Sequence, residues 1–193
     1  MLCPDLYVPS ICQVDLSRLT ARGIKGIVLD MDNTLVDWGS SDIPAGVLAF
    51  FDEAKARGIR LCVLSNNLRR RIEAISGTLG IPAARRLKPM RSAFRAALAL
   101  LGTSPGETAV IGDQIFTDVL GGNLAGMYTI LVIPTSRREF VTTRIIRRLE
   151  RAVLGCLARR GMLSLEGGEG PTERSATCRP QLGRDTHPGA GAY

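Results

Sequence analysis

The sequence predicts an α/β fold, a Rossmann-like parallel sheet flanked by helices. Apolar runs rich in Val, Ile and Leu alternate with segments of helical periodicity. Successive runs are spaced so that one helix fits between them, which makes right-handed βαβ units and a parallel sheet. Polar residues follow each run, at the carboxyl ends of the strands, where ligands of such sheets bind. The 193 residues suit one domain with a tail, and 45% apolar against 5% aromatic residues calls for a largely aliphatic core.

The first strand is Gly26 to Met31, apolar on both faces. Ala45 to Arg57 places apolar residues at 47, 48, 50, 51 and 54, one helix face, and Gly58 stops it. Ile59 to Leu64 is the next strand. Leu68 to Leu79 is a helix ended by Gly80 and Pro82. A short strand is expected at Arg85 to Leu87. Ser92 is the expected cap of a helix running to Leu101, with Gly102 behind it. Thr108 to Gly112 and Tyr128 to Ile133 are the remaining strands, with a short helix over Asp118 to Ala125 between them. Residues 137–160 form a last helix, in which Val141, Ile145, Leu149, Val153 and Leu157 recur every four residues with arginines between them. Gly, Pro, Ser, Thr and Arg dominate beyond it, too little apolar surface to offset the ordering entropy, so a disordered tail is expected. The expected organisation is a core over 1–135, a basic amphipathic helix over 136–163 and the tail over 164–193.

The formal net charge is +7, and it is uneven. Residues 136–160 hold eight Arg and two Glu, whereas residues 1–135 are nearly balanced with 14 basic and 12 acidic side chains. A basic module on a near-neutral core reads as a docking element rather than a nucleic-acid surface. No apolar run reaches the roughly 18 residues of a membrane span. The first residues lack the basic-then-apolar order of a secretory signal. Five scattered cysteines, without a C-x-x-C pair, fit neither a zinc ribbon nor a disulfide framework. A reduced, cytoplasmic protein is expected, with Cys62 a core thiol and His187 inert in the tail.

The strand ends carry the chemistry. Asp30-Met-Asp32-Asn-Thr34 follows the first strand, Ser65-Asn66-Asn67 the second, Lys88-Pro89 the third, and Gly112-Asp113 to Asp118 the fourth. Carboxylates, a hydroxyl, a lysine and helix N-termini on one rim fit a divalent cation and a phosphoryl group. Hard carboxylate oxygens suit Mg²⁺, which shares its coordination with substrate phosphate.

The four motifs, in this order, resemble the signature of the haloacid dehalogenase superfamily of phosphatases. The resemblance covers residues 5–135. It implies Asp30 as nucleophile, Asp32 as general acid and base, Thr34 as the residue positioning Asp32, and Ser65 as a donor to phosphate oxygens. It implies Lys88 as charge stabiliser, Asp30, Asp113 and the carbonyl of Asp32 as the magnesium set, and Asp118 as the residue that orients Lys88 or a metal-bound water. Asn66 and Arg69 join the expected substrate contacts; Arg69-Arg70-Arg71 opens a helix beside the phosphate site against the helix dipole, and the run either meets the substrate or is a solvated face. Residues 35–64 and 66–87 leave no room for a cap domain, so a capless, open site is expected.

The wording of Gly112-Asp-Gln-Ile-Phe-Thr-Asp118-Val-Leu-Gly-Gly is more specific. With Asp30-Met-Asp-Asn-Thr-Leu-Val-Asp-Trp38 and Ser65-Asn-Asn, it resembles the YqeG family, a capless branch similar to mitochondrial phosphatidylglycerophosphate phosphatases. That implies a lipid phosphomonoester as substrate and phosphatidylglycerol as product. A soluble sugar phosphate or nucleotide is the alternative substrate, and a scaffold that holds RNA or a ribosomal partner is the alternative outside catalysis. The basic helix then has three readings: packing on the core, docking on an anionic membrane through Arg144, Arg147, Arg148 and Arg151 (each contributing roughly 1 kcal/mol), or holding RNA or a protein. Peripheral attachment to the inner membrane face goes with the second. Trp38 either touches the glycerol, sits at the lipid interface, or packs under its loop.

Overall fold

The computed structural model describes residues 1–37, 40, 42–66, 69–135, 141–160 and 172–173, with backbone alone at 69, 141–148 and 172–173. Trp38, most of the expected tail and the side chains of Arg69, Arg144, Arg147 and Arg148 lie outside the described residues.

The strands are β1 (Leu6–Val8), β2 (Gly26–Leu29), β3 (Arg60–Ser65), β4 (Ala83–Arg85), β5 (Thr108–Gly112), β6 (Tyr128–Val132) and β7 (Thr172–Glu173). The helices are α1 (Leu16–Ala21), α2 (Ala45–Ala56), α3 (Arg69–Leu79), α4 (Arg91–Leu101), α5 (Leu120–Ala125) and α6 (Val141–Arg159). One sheet runs β4-β3-β2-β5-β6-β1-β7, parallel throughout except for the β1–β7 pair. Chain order reverses direction between β2 and β5. That topological switch point opens a crevice beyond their carboxyl ends, the natural ligand site of a doubly wound sheet.

Alternation along each strand divides the core. Ile27, Leu29, Leu61, Val63, Ala109 and Ile111 face the layer of Leu16, Val47, Phe51, Ile72 and Ile75 from α1, α2 and α3. Val28, Cys62, Leu64 and Val110 face Ala93, Phe94, Ala97 and Leu101 of α4. This period of two, with both faces covered, makes the strands continuously apolar in sequence. Burying each Leu, Ile or Phe contributes roughly 1.5–3 kcal/mol.

The expected strands and helices of residues 26–132 are present, with three differences. β4 is Ala83–Arg85 rather than Arg85 to Leu87, because Val63 pairs with Ala83 and residues 86–90 are needed to bring Lys88 to the rim. α4 begins at Arg91 with extended Met90 as its cap, so Ser92 lies inside the helix. A turn of π-helix, Ile115–Val119, precedes α5. Periodicity did not disclose the amino-terminal β1 and α1, of which β1 extends the sheet beyond β6. Asp15 caps α1 by accepting the Ser17 and Arg18 amides at 2.9 and 3.1 Å.

α6 is not detached from the core. Val153 and Leu154 pack on Ile115, Val119 and Leu131. Glu150, only 3% exposed, accepts the Ile115 amide at 2.7 Å. Thr172–Glu173, within the expected tail, pairs antiparallel with Tyr7 and Leu6 of β1.

Candidate active site

The switch point gathers the acidic rim. β2 hands over to Asp30, and β5 to Asp113, on adjacent strands paired from Gly26↔Thr108 to Leu29↔Ile111. Asp30, Asp113 and Asp118 are all buried, and each offers a carboxylate oxygen within 4.8 Å of the others. Hard anionic oxygens at that separation suit a divalent cation. Asp32 is expected to meet the cation through its backbone carbonyl, and its carboxylate is not part of this cluster.

Lys88 sits among these acids, 5% exposed. Its Nζ donates to Asp118 Oδ1 at 2.7 Å and also to Asp30 Oδ1. Burial by itself pulls the Lys88 pKa down, but Asp118 and Asp30 outweigh it and hold the ammonium above the ordinary lysine range. Burial pushes the Asp30 carboxyl up; Lys88 opposes this and the Asp118 charge adds to it. Asp118 is fixed a second time, accepting the Gln114 amide at 3.2 Å. The site therefore places the lysine ammonium between two acids.

The loop after β2 winds tightly. Met31 O accepts the Leu35 and Val36 amides at 3.0 and 3.2 Å, and the Asn33 amide donates to Val36 O at 2.8 Å. Asn33 takes φ 61°, the left-handed region that Asn tolerates better than most residues. This winding turns the chain back so that Asp30 and Asp32 share one rim. Thr34 is buried, and its hydroxyl has no hydrogen-bond partner, so it does not hold Asp32 through that atom.

Arg71 holds Asp32 instead. Its Nη1 donates to Asp32 Oδ1. Its Nη2 donates to Ser40 O at 2.6 Å and to Asp37 O at 3.3 Å. Arg69 opens α3, with its side chain outside the described residues, and Arg70 is exposed. Of the three arginines, sequence reasoning named Arg69. The available signal was the helix face: Ile72, Ile75 and Leu79 are buried, and Arg71 lies one turn before Ile75 on that side.

Ser65 is buried at the carboxyl end of β3. Asn66, expected at the substrate, turns its side-chain oxygen to the Lys88 amide at 2.8 Å. It thereby fixes the loop that carries the lysine, just before the cis Lys88–Pro89 bond. A cavity of about 410 Å³ lined by Ile59, Leu61, Ile81, Pro82 and Leu101 lies at the opposite, amino end of the strands and takes no part in this chemistry.

The family model described as haloacid dehalogenase-like hydrolase matches residues 38–126. The chain is 40% identical over 164 residues to a Bacillus subtilis protein named probable phosphatase YqeG, covering 84% of this chain and 95% of that one. It is 31% identical over 171 residues to phosphatidylglycerophosphate phosphatase 1, chloroplastic/mitochondrial, of Arabidopsis thaliana, covering 82% of this chain and 49% of that protein. A Chlamydomonas reinhardtii protein named phosphatidylglycerophosphate phosphatase 1, chloroplastic, is 32% identical over 158 residues, 76% of this chain and 59% of that one. The chain thus spans about half the length of the two algal and plant relatives.

Proposed function

Because the chain belongs to the YqeG family of haloacid dehalogenase-like phosphatases, we propose that it dephosphorylates phosphatidylglycerophosphate to phosphatidylglycerol, with Mg²⁺ as its cation. One observation carries the chemistry: Asp30, Lys88 and Asp118 are joined in a buried chain beside Asp113 at the switch point. The lipid substrate is supported by the names of the plant and algal relatives.

Asp30 attacks phosphorus. The bond to the leaving oxygen breaks, and Asp32 gives that oxygen its proton, leaving an aspartyl-phosphate on Asp30. Asp32 then takes a proton from water as the water attacks phosphorus. The bond to Asp30 breaks, releasing inorganic phosphate and restoring the carboxylate. Lys88 stays protonated throughout and offsets charge on Asp30 and the phosphoryl oxygens. Ser65 donates to those oxygens. Asp118 and Asn66 act on Lys88, one at its ammonium and one at its backbone. Arg69, in the helix that follows the second motif, is a proposed substrate contact.

The donor set suits the cation: the carboxylates of Asp30 and Asp113, with the Asp32 backbone carbonyl, are all hard oxygen ligands. When bound, Mg²⁺ supplies positive charge to the phosphoryl oxygens. Among the described residues only α2 lies between Asp32 and β3, and only α3 and β4 between β3 and Lys88, so none of these forms a cap domain over the rim. An open rim admits a phosphate displayed on a bilayer, and the arginines of α6, Arg144, Arg147, Arg148 and Arg151, are the proposed contact with its anionic surface. No helix among the described residues is long and apolar enough to cross a membrane.

The experiment measures phosphate release with Mg²⁺ from phosphatidylglycerophosphate in anionic vesicles, beside a panel of soluble phosphomonoesters, with Asp30→Asn as the blank. The expected result is lipid preference, abolished by that substitution and by chelation of the metal. Turnover of soluble esters alone would discard the lipid, and turnover surviving in Asp30→Asn would discard the nucleophile.

A further inference from the structure

We propose, resting on the reading of Asp32 as general acid, that Arg71 is its positioning residue and holds the Asp32 carboxylate toward the leaving group. The wound loop from Met31 to Val36 fixes the backbone of Asp32. It does not fix the side chain, whose rotation decides whether the proton reaches the leaving oxygen. Arg71 supplies that constraint from a different element, α3.

The guanidinium is committed to protein atoms. One terminal nitrogen donates to Asp32, and the other spans Asp37 O and Ser40 O in the strap that follows the nucleophile loop. Nε is buried without a hydrogen-bond partner. With three bonds made and its remaining edge enclosed, the fork ties rather than binds: general acid, strap and helix are joined through one planar group. A flexible ammonium reaches one of these partners but does not span them.

The position is a costly one for an arginine. A cation in the first turn of a helix opposes the dipole, and a buried N–H without an acceptor is unfavourable. A solvated side chain would escape the second cost. Arg70, one residue earlier, is exposed and does so. Arg71 instead keeps its side chain only 18% exposed against an Asp32 side chain also 18% exposed. Removing the guanidinium takes away the bond from α3 to the Asp32 carboxyl group, and a misplacement of about 1 Å in a catalytic group costs on the order of 10²-fold in rate.

General acid catalysis matters in proportion to how badly the leaving group needs a proton. This separates the proposal from a merely structural role. Full-length protein carrying Arg71→Gln, Arg71→Lys or Asp32→Asn is assayed with Mg²⁺ on alkyl esters, glycerol 3-phosphate and phosphatidylglycerophosphate in vesicles, and on 4-nitrophenyl phosphate, whose phenolate leaves unprotonated. Arg71→Gln is expected to lower kcat on the alkyl esters about 10²-fold, and on the aryl ester by no more than about threefold, with KM nearly held. Arg71→Lys recovers about tenfold of the alkyl loss, and Asp32→Asn shows the same selectivity in stronger form. Should Arg71→Gln fail to fold, as judged by its melting temperature, Arg71→Lys carries the same comparison. An equal loss on both ester classes, or no loss, overturns the role of Arg71 when Asp32→Asn is selective. An unselective Asp32→Asn overturns the general-acid reading itself, and the role of Arg71 with it.

Discussion

Gly112 shows how little room the site leaves. A Cβ placed there would overlap the Asp118 carboxylate, so the residue before Asp113 must lack a side chain although its backbone is ordinary strand. Gly112→Ala would push Asp118 aside and deprive Lys88 of one of its two carboxylates. Its expected effect is a fall in kcat of about 10²-fold with a stability loss of about 1–3 kcal/mol from overpacking, read by steady-state kinetics and urea unfolding. Wild-type kcat in this variant would show that Asp118 does not orient the lysine. Cys62 illustrates the opposite case. Burial in β3 pushes its thiol up to about 12, so it stays protonated and packs as a small apolar group.

At the scale of elements, α6 is tied to the catalytic rim. Its Glu150 accepts the amide of Ile115, the first residue of the π-helical turn that ends at Val119 and carries Asp118. The basic helix therefore shapes the loop between the two acids of the fourth motif. Glu150→Ala leaves a buried amide without that acceptor and is expected to lower stability by about 1–3 kcal/mol. Glu150→Gln keeps a carbonyl oxygen in place and should lose less than half as much. Chemical denaturation of both variants checks this, and equal losses would mean that charge rather than the hydrogen bond matters. The boundary drawn at 135/136 from composition falls between segments that touch, since the charge change is sharp there but Val153 and Leu154 return to the core.

For the whole molecule, the central sheet and the rim were legible because both are local signals. Buried parallel strands are continuous apolar runs, and each candidate site residue lies at its strand's end or within a few residues of it. What escaped depends on tertiary pairing. β1 is three residues between Pro4 and Pro9, and its partner β6 lies far along the chain. Glu150 reads as one acid in a basic stripe until Ile115 is brought against it. Asn66 stands in the second motif like a substrate ligand, yet its oxygen serves the Lys88 amide. Arg71 is one of three identical neighbours, distinguished only by the face of α3 on which it falls. The fold is therefore written in runs, whereas the supports of the site are written in contacts.

The sheet's outer margin carries a consequence of its own. Without Thr172–Glu173, the last strand of the array would be β1, with its outward peptide groups bare. Such a row is a template on which another chain can assemble. The short antiparallel stitch acts as a hem, and it comes from a segment whose composition gives no hint of sheet. A chain ending at residue 160 should keep its catalytic rim, including Glu150, but self-associate as concentration rises. Light scattering would detect this, and a monodisperse truncated protein would show that β1 is harmless when bare.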